Sequence, residues 1–126
     1  MKRLLVSVFL FSAVLLLCAF GISFVTDGYE KITEELTQGE KCMQNGNFEA
    51  AKKHCEKAEK LYVEREQFMA AFVNHGILDE IGQTLSGVAP LADKDSIPEF
   101  FSLSAEAKTT LAHLRNDHIF IIGNLF

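Results

Sequence analysis

From Leu4 to Val25 the chain carries no charged side chain, and the run is built of Leu, Val and Phe broken only by small residues. As a helix rising about 1.5 Å per residue, it would cross a hydrocarbon core of roughly 30 Å. Lys2 and Arg3 precede it; Asp27 and Glu30 follow. The bias of Lys and Arg toward cytoplasmic flanks then places the N-terminus in the cytoplasm and residues 27–126 outside it. The expectation is a single-pass protein of the cell membrane, with residues 1–26 as a transmembrane anchor and 27–126 as an extracytoplasmic domain. Two other readings compete. A cleaved signal peptide would use Ala19-Phe20-Gly21 as a small-x-small site, although the apolar stretch before it exceeds the usual roughly 7–15 residues. A lipoprotein would use Cys18, but Leu17 is not the small residue that such processing wants.

The 126 residues allow one domain, which excludes a Rossmann enzyme or a β/α barrel. Twelve Lys and Arg stand against 17 Asp and Glu, and Lys2 and Arg3 are the only charged side chains before Asp27, so the domain is more acidic than the chain's net −5. A duplex nucleic-acid binder needs the opposite sign to displace counterions, so nucleic acid is not an expected partner. Motifs of catalysis are absent: there is no G-x-S-x-G, P-loop, G-x-G-x-x-G, H-E-x-x-H or C-x-x-C. None of the four histidines has a Glu three residues before it, which removes the di-iron bundle pattern. Asp93-Lys94-Asp95 lacks the glycine of a calcium loop, and Ser104 stands where the bidentate Glu belongs. Neither an enzyme nor a cofactor is expected.

Beyond the run, helical periodicity dominates. A first helix starts near Asp27, continuous with the apolar run, with Tyr29, Ile32, Leu36 and Cys42/Met43 on one face. Asn45-Gly46-Asn47 ends it, because Gly and Asn tolerate the left-handed conformation of a helix terminus. Asn47 caps a second helix whose apolar face is Phe48, Ala51, Cys55, Ala58 and Leu61/Tyr62. Its opposite face, Glu49, Lys52, Lys53, Glu56, Lys57, Lys60 and Glu64, reads as solvated, with Glu49/Lys53 and Glu56/Lys60 spaced as i,i+4 pairs. A third, weaker helix carries Ile77, Leu78, Ile81, Leu85 and Val88, interrupted by Gly82 and Gly87. Ser96-Ile97-Pro98-Glu99 has capping-box spacing, and Phe100, Ser104, Ala107, Leu111, Leu114, His118, Ile121 and Leu125 step by four and three as a packing seam. The fold class is all-α: an N-terminal transmembrane helix followed by an antiparallel bundle of about four helices. Gly39, Cys42, Gly46-Asn47-Phe48, Ala51, Cys55 and Ala58 make the first hairpin tetratricopeptide-like, but a solenoid needs about three such units and there is one. Cys42 and Cys55 fall out of register across the turn, beyond the roughly 7 Å Cα separation of a disulfide. They read as small apolar residues of a helix interface.

Two runs are apolar on every side, Phe68–Val73 and the stretch from His118 to Phe126. Counting through the turns brings both to the end of the bundle nearest the N-terminal run. A helix hydrophobic all round belongs in a core, a membrane or a partner, and a soluble monomer rarely leaves so large a patch open. Two readings stand: the thickest part of the core, or a surface that enters the lipid interface or covers a membrane partner.

Phe72-Val73-Asn74-His75 followed by Ile77 and Ile81, together with Asn124-Leu125-Phe126, resembles domain-of-unknown-function family 4363. The likeness covers nearly the whole chain. It implies a short, membrane-anchored helical protein of spore-forming Gram-positive bacteria, with no known activity, and it singles out His75 and Asn124. The family's tryptophans in the second helix are replaced here by Phe48 and Tyr62. The candidate interaction residues are therefore Phe68, Phe72, His75, Phe120, Asn124, Leu125 and Phe126, with His75 and Asn124 expected as buried polar groups that fix geometry. The expected function is a non-catalytic interaction or assembly module of the cell envelope, acting with the membrane and with a protein partner or a second copy of itself. The alternative is a small metal- or haem-binding bundle using His75 and His118, which the same counting puts about one turn apart. His75/Asp79 and His113/Asp117 also have i,i+4 spacing, so each pair could share a helix face; the plainer reading is a histidine hydrogen-bonded to a nearby backbone carbonyl or Asp.

Overall fold

No proline occurs before Pro90, and nothing else interrupts the helix at the end of the apolar run. In the computed structural model, which describes residues 1–71 and 73–125 without the side chains of Ile22, Val25 and 117–125, helix α1 runs unbroken from Lys2 to Gln44. It stops where the sequence dictates. Gly46 takes φ +77°, a left-handed conformation that costs glycine little, and Asn47 N–H donates back to the Cys42 carbonyl at 2.8 Å. The Asn47 side chain then accepts from Ala50 N–H and caps α2, Phe48–Met69.

The apolar run after Glu66 would carry α2 further, but the helix ends at Met69, and Val73 N–H donates back to the Met69 carbonyl at 2.9 Å before α3 begins. Asn74 Oδ1 accepts Gly76 N–H at 2.7 Å and caps α3, His75–Val88. A 3₁₀ turn with Pro90, Ala89–Leu91, closes that helix. Asp93 accepts Asp95 N–H at 2.8 Å in the following loop, and α4 runs Ile97–Leu125. Helix α1 packs on α2 and α4, and α3 packs on the same two, so α1 and α3 occupy opposite corners of an up-down-up-down bundle. No strand occurs among the described residues.

Most of the seam positions read from the sequence are buried; Ile77 is not, being 43% exposed, and the side chains of His118, Ile121 and Leu125 lie outside the described residues. Tyr29, Ile32, Leu36 and Met43 from α1 meet Ala51, Cys55, Ala58 and Tyr62 from α2, with Leu78, Ile81, Leu85 and Val88 from α3 and Phe100, Ala107, Leu111 and Leu114 from α4. Each large side chain so buried contributes roughly 1.5–3 kcal/mol. Tyr62 also ties α2 to α3, donating its hydroxyl to the Leu78 carbonyl at 2.6 Å. The charged face of α2 is exposed, yet neither Glu49–Lys53 nor Glu56–Lys60 closes to ion-pair distance. Lys57 of that face pairs instead with Glu35 on α1, at 3.1 Å. The tetratricopeptide-like pattern has a local cause. Gly39 of α1 lies against Cys55 Sγ and the Ala51 carbonyl, so small residues serve the close approach of two helices, and α3 and α4 complete a bundle.

Candidate functional site at the apolar end of the bundle

The distal end of the bundle holds the Asn45-Gly46-Asn47 turn; the proximal end faces the apolar half of α1. The glycines of α1 that meet α2 are Gly21, Gly28 and Gly39, spaced by two and three helical turns on one face. They set an antiparallel register in which the last turns of α2 reach back into the charge-free run. Phe68 Cζ lies 2.3 Å from where a Cβ on Gly21 would sit, and its ring meets that of Phe24 edge-on at 6.4 Å. Phe24 in turn stacks on Phe20 at 6.5 Å. Phe20 and Phe68 remain 72% and 42% exposed, so the end of α2 forms an aromatic surface continuous with that of α1.

One turn above, Arg65 is buried at 5% exposure. Its aliphatic stem crosses Gly28, where a Cβ would stand 2.0 Å from Cδ and Nε. The guanidinium lies over the Phe24 ring at 4.5 Å, a cation–π contact. Nε donates to the Phe24 carbonyl at 3.4 Å and Nη1 to the Leu61 carbonyl at 3.1 Å. The nearest carboxylate, Glu64, is 3.8 Å away and exposed. Arg65 thus works mainly as a stem and a set of donors that tie α2 to α1.

Sequence reasoning missed Arg65, although the signal was available: Phe48, Ala51, Cys55, Ala58, Tyr62, Arg65 and Met69 continue one seam in steps of three and four. It also missed two carboxylates of α1. Glu35 accepts from His54 Nδ1 at 2.7 Å and pairs with Lys57 at 3.1 Å. Burial pulls its carboxyl upward, but the hydrogen bonds and charges of His54 and Lys57 outweigh that and hold it below its ordinary value. Glu40 accepts from Ser104 Oγ and from Lys108 Nζ, both at 2.8 Å. Glu30 and Arg115 pair at 2.8 Å. These contacts fasten α1 to α2 and to α4. Between α1 and α4 a shallow groove of about 510 Å³, lined in part by Thr33, Thr37, Lys41 and Arg115, mixes both charges.

The chemistry available in this arrangement is limited. Burial pushes the Cys55 thiol up to about 12, with the charges of Glu40, Cys42 and Glu56 adding to it, and it pushes the Tyr29 and Tyr62 hydroxyls upward as well. Cys42 and Cys55 are free thiols. Among the described residues no group of three or more His, Cys, Asp or Glu converges on a point.

Of the candidate residues, Phe68 lies where the counting put it. His75 does not play the expected part: it is exposed at the first position of α3, because Asn74 takes the cap and turns the next residue outward. Phe72 and Phe126 lie outside the described residues, as do the side chains of Phe120, Asn124, Leu125 and His118; the α4 backbone does continue helically to Leu125.

A profile of the family described as a domain of unknown function (DUF4363) matches residues 19–125. The chain belongs to the DUF4363 family. The DUF4363 match opens just before Gly21, so it takes in the part of α1 on which α2 docks and leaves out most of the apolar run. No curated protein and no solved structure matches the chain. Helix α1 is the one helix among the described residues long and apolar enough to cross a membrane.

Proposed function

We propose that this protein is a non-catalytic interaction or assembly module of the cell envelope. Helix α1 anchors it in the cell membrane with the N-terminus cytoplasmic, and residues 27–126 stand outside. The observation that carries this reading is the unbroken passage of α1 from its apolar half into the bundle, with Phe68 and Arg65 of α2 seated on Gly21, Phe24 and Gly28. A bundle hung from a flexible linker would sample every orientation. One clamped to its anchor on both sides of the first charged residue presents one fixed end, which suits a module that positions a protein partner or a second copy of itself. The apolar residues of that end, Phe68 together with Phe72, Phe120, Leu125 and Phe126 of the sequence, are the surface the module presents at the membrane, where it holds that partner.

Native mass spectrometry of the full chain, extracted from membranes in mild detergent, tests this reading. A mass that retains residues 1–26, with further copies or a second protein attached and lost in Phe68→Asp, is the expected result. A chain that lacks those residues and carries a stoichiometric metal or haem increment would overturn it in favour of the ligand-binding bundle.

A further inference from the structure

The contacts between helices allow every charged side chain to be placed by its height along the bundle. On α1, Asp27 is the first charge after Arg3. On α2, Arg65 lies across Gly28 and over Phe24, so Glu66, the last charge of that helix, stands at about the height of Asp27. On α3, the Leu78 carbonyl accepts from Tyr62, and the first charge is the next residue, Asp79. On α4, Arg115 pairs with Glu30, and the last charged residue of the sequence, Asp117, follows half a turn beyond. Four helices running in alternating directions therefore change from charged to uncharged within about one helical turn of one level. Below it lie the apolar half of α1, residues 67–71 and 73–78, and the backbone of residues 118–125; the sequence has no Asp, Glu, Lys or Arg from Gln67 to Leu78 or from His118 to Leu125.

A bundle end surrounded by water has no reason to be built this way. Helix ends and the turns between them are the most exposed parts of such a fold and are ordinarily polar. The distal end of this bundle obeys that rule, with Lys41, Asn45, Asn47 and Glu49 at one turn and Asp93, Lys94 and Asp95 in the other. The proximal turn instead holds Ala70, Ala71 and Val73 among the described residues. Its neighbour Phe68 reaches Gly21, which at about 1.5 Å per residue lies roughly 9 Å below Asp27 along α1.

We infer that the boundary is a lipid surface: the proximal end of the bundle, meaning the tip of α2 with its turn into α3 and the last two turns of α4, is sunk into the headgroup and upper acyl region of the bilayer that α1 crosses. The occupant is phospholipid because the apolar surface is continuous with the apolar half of α1, and because the charge boundary cuts all four helices within about one turn of the same height. A protein partner would impose a patch; a bilayer imposes a level. The inference rests on the reading of α1 as an anchor and adds the depth at which the domain sits. The uncharged polar residues near that level, Gln67, Asn74 and His75, are all exposed, as residues among headgroups would be.

The chain contains no tryptophan, so one introduced residue reports alone. Full-length Phe68→Trp and, at the distal end, Lys53→Trp would be reconstituted into vesicles of phosphatidylcholine and phosphatidylglycerol, with and without bromine on the upper acyl chains. The expected result is a blue-shifted emission from the Phe68→Trp chain, quenched several-fold more by the brominated lipid than the emission from the Lys53→Trp chain. Quenching equal in the two variants, in a chain that resists extraction by alkaline carbonate, would overturn the lipid level and leave the anchored module standing. A blue-shifted but unquenched emission from Phe68→Trp would assign the surface to protein and overturn it likewise. Release of the chain by carbonate would overturn both readings. Should Phe68→Trp fail to fold, the unmodified protein in vesicles containing a lipid with a diazirine near the headgroup decides the matter. Carbene labelling of the peptide containing Phe68 supports the proposal, and labelling confined to peptides of α1 refutes it.

Discussion

At the distal end of the α1–α2 hairpin Gly39 faces small partners, and at the proximal end Gly28 and Gly21 face long ones. A Cβ added at Gly39 would meet Cys55 Sγ at 3.1 Å and the Ala51 carbonyl at 3.4 Å. Glycine there lets two backbones approach, and the distal core around it is closed. At Gly28 and Gly21 the same residue type makes a seat for a side chain, the stem of Arg65 in one case and the ring of Phe68 in the other. The distal end is held by packing of small and apolar groups away from solvent. The proximal end is held by side chains lying on a bare helix, with half of one aromatic ring left open. A glycine stripe alone does not say whether helices close or side chains dock; the partner residues decide.

The largest expected effect tests whether the two ends differ in what they contribute to stability. Phe100, fully buried near the distal end, should cost about 3–5 kcal/mol when truncated to Ala, through lost burial and the cavity left behind. Phe68→Ala, starting from a ring 42% exposed, should cost only about 1 kcal/mol in chemical unfolding of the full chain in detergent. Equal losses would mean that the proximal end is core like the rest.

A second test exploits the seat. Gly28→Ala forces the Arg65 stem aside and should cost about 1–3 kcal/mol as overpacking. In an Arg65→Ala background the obstacle is gone. The same Gly28→Ala change should then stabilise by about 1 kcal/mol, the helix-propensity difference between Gly and Ala. That reversal of sign, read as a double-mutant cycle, separates a side-chain seat from a backbone contact. A loss of the same size in both backgrounds would reject the seat.

The seam positions were legible because helix packing writes itself into a 3–4 spacing, and the turn at Asn45-Gly46-Asn47 because a left-handed residue there favours glycine. The antiparallel register, and with it the arrival of Phe68 beside the apolar half of α1, followed from counting. The glycines of α1 and the seam position of Arg65 were also written in spacing, but a charged residue in a seam and a glycine in a helix are both easily read as exceptions. The exposure of His75 could not be read in advance. It depends on whether Asn74 or His75 takes the cap, and the sequence Asn-His-Gly offers both. Glu35 and Glu40 lie on the flanks of the buried α1 face, where a carboxylate points to solvent or to a neighbouring helix according to what that helix supplies. Here it supplies His54 and Lys57 in one case and Ser104 and Lys108 in the other.

The polar fastening of α1 to α2 gives a smaller effect with a defined pH dependence. The Glu35 carboxyl is held below its ordinary 4.5 in the folded chain. Its contribution is therefore fully present above that value and is lost as pH falls through the lowered folded-state value. Glu35→Gln should cost on the order of 1 kcal/mol at neutral pH, and its stability should converge on that of the unaltered chain as the solution is acidified below about 4.5. A gap that is constant with pH would mean that the carboxylate charge contributes nothing to the fastening.

The smallest effect leaves stability untouched and compares the three cysteines. Alkylation needs both a thiolate and a path to it. Cys55 has neither, being fully buried in the distal interface with its thiol pushed up to about 12, while Cys42 is partly exposed and Cys18 lies on the open surface of the apolar half of α1. In the native protein in detergent, maleimide labelling followed by peptide mass analysis should modify Cys18 and Cys42 long before Cys55, which becomes reactive only as the bundle unfolds. In vesicles the order should change at one site: Cys18 should fall silent under lipid while Cys42 keeps its rate. If Cys55 reacts as fast as Cys42, the distal packing opens readily and the contrast between the two ends fails. If Cys18 stays reactive in vesicles, the apolar half of α1 is not in the bilayer, and the height of every charge in the bundle loses its reference level.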